Sequence, residues 1–194
     1  MPPINKKKSL LLAAKILFGE YGYVETTFKK ISEKAGVALG LLTHHYGNKE
    51  KLFFAAGMDV LENFLHVLRA ATAKGKNGLD ASMLFCRAYL DFSIDKNSHW
   101  MVLVRCSPYS DMKTKTDRDI MYAKFNQVNE ELAKQLQRGI DDGSIRPLDV
   151  KETTQIIIST MVGVNRTRLL TPYASNGLYP EALRFIERSI KAYL

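Results

Sequence analysis

The stretch TTFKKISEKAGVALGLLTHHYGNKEKL, residues 26–52, decides the fold. Thr26-Thr27 offers an N-cap for a short helix whose inward face is Phe28, Ile31 and Ala35. Gly36 breaks that helix. It tolerates the positive φ of a tight turn, and Val37 can plug the angle between two helices. A short helix over about Ala38 to His45 follows, with Leu42 packing inward and Ala38, Leu39, Gly40, Thr43 and His44 facing out. Gly47-Asn48 breaks the pattern again, and a long helix starts near Lys49. Two short helices joined by Ala35-Gly36-Val37 suit a helix-turn-helix, whose second helix enters the major groove of DNA.

Upstream, a helix is expected from about Lys6 to Tyr21, with an apolar face of Leu10, Ala14, Leu17, Phe18 and Tyr21, and Gly22 as its stop. Downstream, the long fourth helix carries a stripe at Phe53, Ala56, Val60, Phe64, Val67 and Ala71. Further helices are expected over about 80–95, 98–107, 115–142, 149–171 and 178–193, broken at Asn97, Pro108, Gly143, Pro147, Pro172, Asn176-Gly177 and Pro180. The expectation is an all-α protein of about nine helices. Residues 1–50 form a three-helix DNA-binding head, and residues 51–194 form a helical body for ligand sensing and dimerisation.

Charge points the same way. The net charge is +8, and residues 1–51 hold nine lysines against four acids, which accounts for +5 of it. A basic head on a nearly balanced body suits a polyanion, although charge alone equally suits a solubilising surface. Cys86 and Cys106 sit in apolar runs without a CxxC or Cys/His cluster, so reduced buried thiols and a cytoplasmic setting are expected, nucleoid-associated when DNA is bound. The basic N-terminus leads into too short an apolar run for a signal peptide, and there is no apolar run of membrane-spanning length. The motifs of hydrolases, P-loop proteins, zincins and dinucleotide binders are absent, so no enzyme, no cofactor and no metal site are expected. Adjacent His44 and His45 point about 100° apart on a helix and cannot both ligate comfortably.

The first 55 residues resemble the N-terminal signature of the TetR/AcrR family of transcriptional regulators. The matching residues are Phe18-Gly19-Glu20-Tyr21-Gly22-Tyr23, Thr26-Thr27, Ile31, Ala35-Gly36-Val37, Gly40, His45-Tyr46-Gly47-Asn48-Lys49-Glu50 and Leu52. The resemblance implies that Thr27 binds the DNA backbone through its hydroxyl and N–H, beyond its role as a cap, and that Lys49 meets phosphate. It also places the Tyr46 hydroxyl near phosphate at best. Thr43 can bond a base edge or touch a thymine methyl, and His44 and His45 lie near the backbone. Ala38, Leu39 and Thr43 depart from the family's commoner residues, which leaves few strong base readers. Leu39 and Thr43 then fit thymine methyls, while Lys29 and the Lys6–Lys8 run add charge. That run reads equally as a solvated terminus or as an arm against phosphate.

For the body the resemblance implies a small-molecule effector and a homodimer. Phe85, Tyr89, Phe92, Trp100, Met101, Arg105, Tyr122 and Phe125 are the candidate pocket residues, and plain core is an equally open role for each. Tyr109 belongs to the same aromatic-rich region, and Arg105 in an apolar helix invites a carboxylate partner or an anionic ligand. The last two helices, with Ile156, Ile157, Thr160, Met161, Gly163, Val164 and Leu169, then Leu183, Ile186, Ile190 and Leu194, are expected to build a four-helix dimer interface. The function expected is a repressor on near-palindromic double-stranded DNA, released by a ligand; the alternative is a DNA-binding regulator controlled by a protein partner.

Overall fold

The computed structural model describes residues 5–105 and 112–192; Cys106, Pro108, Tyr109 and Leu194 lie outside the described residues. Nine α-helices, and no strand, are found among the described residues, as the periodicity predicts. They are α1 (Lys6–Glu25), α2 (Phe28–Ala35), α3 (Leu39–Tyr46), α4 (Lys49–Thr72), α5 (Gly78–Ile94), α6 (Met101–Arg105), α7 (Lys115–Asp141), α8 (Val150–Leu170) and α9 (Leu178–Ile190). The helix expected over 98–107 is instead a 3-10 turn, Lys96–Ser98, followed by the short α6. His99, with φ of 55°, sits between them and breaks the continuity.

The chain forms two compact units that interleave in sequence: residues 1–62 with 96–124, and residues 63–95 with 125–194. In the first unit, α1 packs against α2, α3 and α6. Leu10, Ala14, Leu17 and Phe18 are buried, as their spacing predicts. Phe18, Tyr23 of α1 and Phe53 of α4 form an aromatic cluster with ring centroids 5.3 to 6.0 Å apart. Gly22 departs from helical geometry (φ 78°, ψ 179°) and kinks α1 instead of ending it. The kink turns Tyr21 outward: it is 49% exposed, not part of the core, and Lys30 lies over its ring. Buried Thr26 then locks the chain, donating its hydroxyl to the Gly22 carbonyl at 2.7 Å.

In the second unit the core is aromatic. Phe64 of α4 stands 5.0 Å from Tyr89 and 5.0 Å from Phe92, and Phe85 completes the group. Fully burying each such side chain stabilises the fold by about 1.5–3 kcal/mol. α5, α8 and α9 pack on one another. The inner face of α8 is Thr154, Ile157, Met161 and Asn165, and that of α9 is Ala182, Ile186 and Ile190. The Asn165 side-chain oxygen accepts from Ser93 and Tyr179 at 2.7 and 2.6 Å, so the polar group is buried with partners.

Candidate nucleic-acid interface

The interface is built on a cap, a turn and an anchored helix. Thr27 caps α2: its side-chain oxygen accepts the Lys30 N–H at 3.2 Å, and the residue stays exposed. The first turn of α2 also carries exposed Lys29 and Lys30. Gly36 ends α2 in the left-handed region (φ 64°), where its N–H reaches back to the Glu33 carbonyl. Ile31 and Leu42, both fully buried, pin α2 and α3 to the core from beneath.

That anchoring leaves the opposite face of α3 free. Ala38, Leu39, Gly40, Thr43 and His44 are all exposed, and His45 and Tyr46 are partly so. The outward positions read from the sequence therefore share one surface. Ala38 stands at the N-cap without a side-chain cap bond, so the first turn of α3 keeps unused N–H groups. The Thr43 hydroxyl donates to the Leu39 carbonyl at 3.2 Å, which fixes its rotamer. A Cβ at Gly40 would meet nothing within 4 Å, so no neighbour within the chain calls for glycine there.

Lys49 and Tyr46 are engaged within the protein. The Lys49 ammonium donates to the Tyr23 carbonyl at 2.9 Å and lies 4.3 Å from the Tyr23 ring centroid. It thereby ties the end of α1 to the start of α4. The Tyr46 hydroxyl donates to the Lys7 carbonyl at 3.1 Å; burial, with Asp59 nearby, raises its pKa above the usual phenol value. Two residues beside them escaped the sequence reading. Glu50 accepts the N–H groups of Lys113 and Thr114 at 2.8 and 2.6 Å, and these bonds hold its carboxyl below the ordinary value. Lys51 pairs with buried Asp117 at 2.6 Å. Partners more than 60 residues away leave no local signal.

The candidate pocket residues divide between the two units. Phe85, Tyr89 and Phe92 are 0%, 4% and 7% exposed and pack on Phe64 and on each other, while Phe125 of the same unit is half-buried. In the other unit Trp100 is buried, Met101 is half-buried, and Tyr122 is exposed. Arg105, read as a buried cation needing a partner, is exposed instead, because α6 ends there and its side chain stands at a surface. An open cleft of about 660 Å³, lined by Lys76, Lys134, Gln137, Arg138, Asp141 and Asp142, was not foreseen. Its charged rim carries no periodic signal that sequence reasoning could use. Among the described residues no group of three or more His, Cys, Asp or Glu is placed to hold a metal ion, and no helix is long and apolar enough to cross a membrane.

Comparison with known proteins meets this geometry from outside. Residues 10–56 match the family model described as bacterial regulatory proteins, tetR family. The chain is 26% identical to the HTH-type transcriptional repressor AcnR of Corynebacterium efficiens, over 97% of this chain and 94% of the other. A Saccharomonospora viridis protein described as a transcriptional regulator, crystallised with choline, superposes with a TM-score of 0.85 at 15% identity, covering 96% of this chain and 98% of its own. AibR, crystallised with isovaleryl coenzyme A and operator DNA, superposes with a TM-score of 0.80 at 15% identity, covering 98% and 100%. At such identities the two structures establish the shared fold alone.

Proposed function

Because the chain belongs to the tetR family of bacterial regulatory proteins, we propose that it is a sequence-specific DNA-binding repressor, acting as a homodimer and released by a small molecule bound within residues 51–194. Residues 1–50 are the DNA-binding part. The observation that carries the reading is the surface of α3: a buried anchor at Leu42 and an opposite face of Leu39, Gly40, Thr43 and His44 exposed together. Gly40 gives a groove-bound helix its closest approach. Leu39 and the Thr43 methyl present apolar surface suited to thymine methyls. Thr27, Lys29, His44 and His45 surround that surface with phosphate donors. Lys49 contributes from its place at the end of α1. Repression is supported by AcnR, which is named a repressor.

Dimerisation is supported by the outer face of α8. Ile156, Thr160, Gly163, Thr167 and Leu170 recur at spacings of 4, 3, 4 and 3, the pattern of a helix–helix seam. Ile156 is 63% exposed, and Phe185 of α9 is 55% exposed. Gly163 lies deep inside α8, yet a Cβ there would meet nothing within 4 Å. A second copy would give both the apolar side chains and the glycine a neighbour. Two heads would then sit about one DNA turn, roughly 34–36 Å, apart on a near-palindromic site. Effector control is supported by the two neighbours that hold choline and isovaleryl coenzyme A. A coupling of about 1–3 kcal/mol would weaken operator binding by about 5- to 150-fold.

The test is selection from random duplex DNA with the purified protein, followed by sizing of the complex. Enrichment of an inverted repeat bound by two chains is the expected result. A population with no enriched site would sink the reading. Quaternary amines and acyl-CoA thioesters form the first effector panel. Release by none of a wide panel would remove the small-molecule part and leave DNA binding in place.

A further inference from the structure

The first turn of α1 is Lys6, Lys7 and Lys8. Asn5 caps it by accepting the Lys8 N–H at 3.3 Å, so the helix begins on the lysines themselves. That turn has no acidic residue. Three ammonium groups at the positive end of a helix dipole destabilise the helix unless an anion neutralises them. All three side chains are exposed, and none forms an ion pair among the described residues.

An independent contact fixes where this charge is presented. Tyr46 is the last residue of α3, and its hydroxyl donates to the Lys7 carbonyl at 3.1 Å. The Lys7 ammonium in turn stands 5.9 Å from the Tyr46 ring centroid. The end of the reading helix is thus bonded to the lysine turn, 39 residues away in sequence. A basic turn held rigidly against α3 must approach the same polyanion as α3 does.

We propose that Lys6–Lys8 form a second phosphate-binding element of the head, engaging the duplex backbone that flanks the bases read by α3, and that Tyr46 is the positioning residue fixing it there. The proposal rests on the DNA-binding reading above and adds an element whose contribution is independent of sequence. Ammonium groups on flexible stems carry charge but no geometry for a base edge, so they raise affinity without ranking sites. Tyr46 acts through them: its hydroxyl is spent on the Lys7 carbonyl and orders the turn.

The test is the salt dependence of binding to the selected duplex and to a scrambled duplex. Each phosphate contact contributes about 0.9 to the slope of log affinity against log salt. A K6Q/K7Q/K8Q variant, shown to be folded by circular dichroism, is expected to lose about 1–3 of that slope per head. It should still rank the selected site above the scrambled one. Y46F keeps the ring and removes the donor; a smaller loss of slope with the same ranking is expected. A triple variant with the wild-type slope would overturn this proposal while leaving the DNA-binding reading intact. Lost ranking in the triple variant would overturn it too, because the lysines would then be reading bases. A wild-type slope in Y46F would remove Tyr46 from the positioning role. Wild-type protein that binds neither duplex would overturn both readings together.

Discussion

The reading face of α3 and the aromatic group of the second unit were both singled out by residue type, and they fold in opposite ways. Leu39 ends 48% exposed, with Gly40, Thr43 and His44 exposed beside it. Phe85, Tyr89 and Phe92 end buried against Phe64. An apolar side chain that stays outside over a buried anchor has no partner in its own chain and invites one from elsewhere. An aromatic ring that finds three others has its partners already. Position on the folded surface, and not residue chemistry, separates a binder from a filler.

Substitutions can break this contrast. The largest effect is expected in the filler region: Phe85→Ala should cost about 3–5 kcal/mol in denaturant unfolding, with the ranking of DNA sites unchanged in the folded fraction. A changed ranking would mean that the aromatic group is part of the binding machinery. In the reading region, Thr27→Ala removes the cap of α2. It should cost about 1 kcal/mol of stability and weaken operator and scrambled DNA alike, as anisotropy titrations would show. Gly40→Ala should have opposite signs in two assays. Stability should rise by up to about 1 kcal/mol, because glycine is a poor helix residue and the new methyl meets no neighbour. Operator affinity should fall, because the methyl stands between helix and groove. A variant that binds as well as wild type would show that α3 does not approach closely.

The smallest effect at neutral pH belongs to Cys86, which sharpens the filler side of the comparison. Burial pushes its thiol up to about 12 from an ordinary 9.0. The folded state holds the proton that the unfolded chain releases, so the contribution is full below about 9 and fades between about 9 and 12. Tyr89, also raised by burial, acts in the same direction. Thermal melts should fall over that window, and Cys86→Ala should flatten part of the fall. Equal slopes in both proteins would contradict a dry site at Cys86.

Most of the helices were legible because a period of 3.6 and Gly, Pro or Asn breaks are local signals. The inward anchors Ile31 and Leu42 followed from the same periodicity. Tyr21 was misread because Gly22 kinks α1 where a stop was expected, rotating the last turn away from the core. The reading face was legible because a short helix with one buried anchor has few ways to sit. The ties of Glu50 to Lys113 and Thr114, of Lys51 to Asp117, and of Lys49 to the end of α1 were not, since they join residues far apart in the chain. Aromatic composition could not distinguish a pocket from a core, because both are made of the same side chains.

Gly163 has a thermodynamic consequence. A glycine deep within a helix of 21 residues weakens that helix by about 1 kcal/mol relative to alanine. If a second copy supplies the neighbour that the open flank of α8 lacks, that deficit is recovered only on association. The melting temperature then becomes a function of protein concentration, and a cell making few copies would hold a less durable protein than a cell making many.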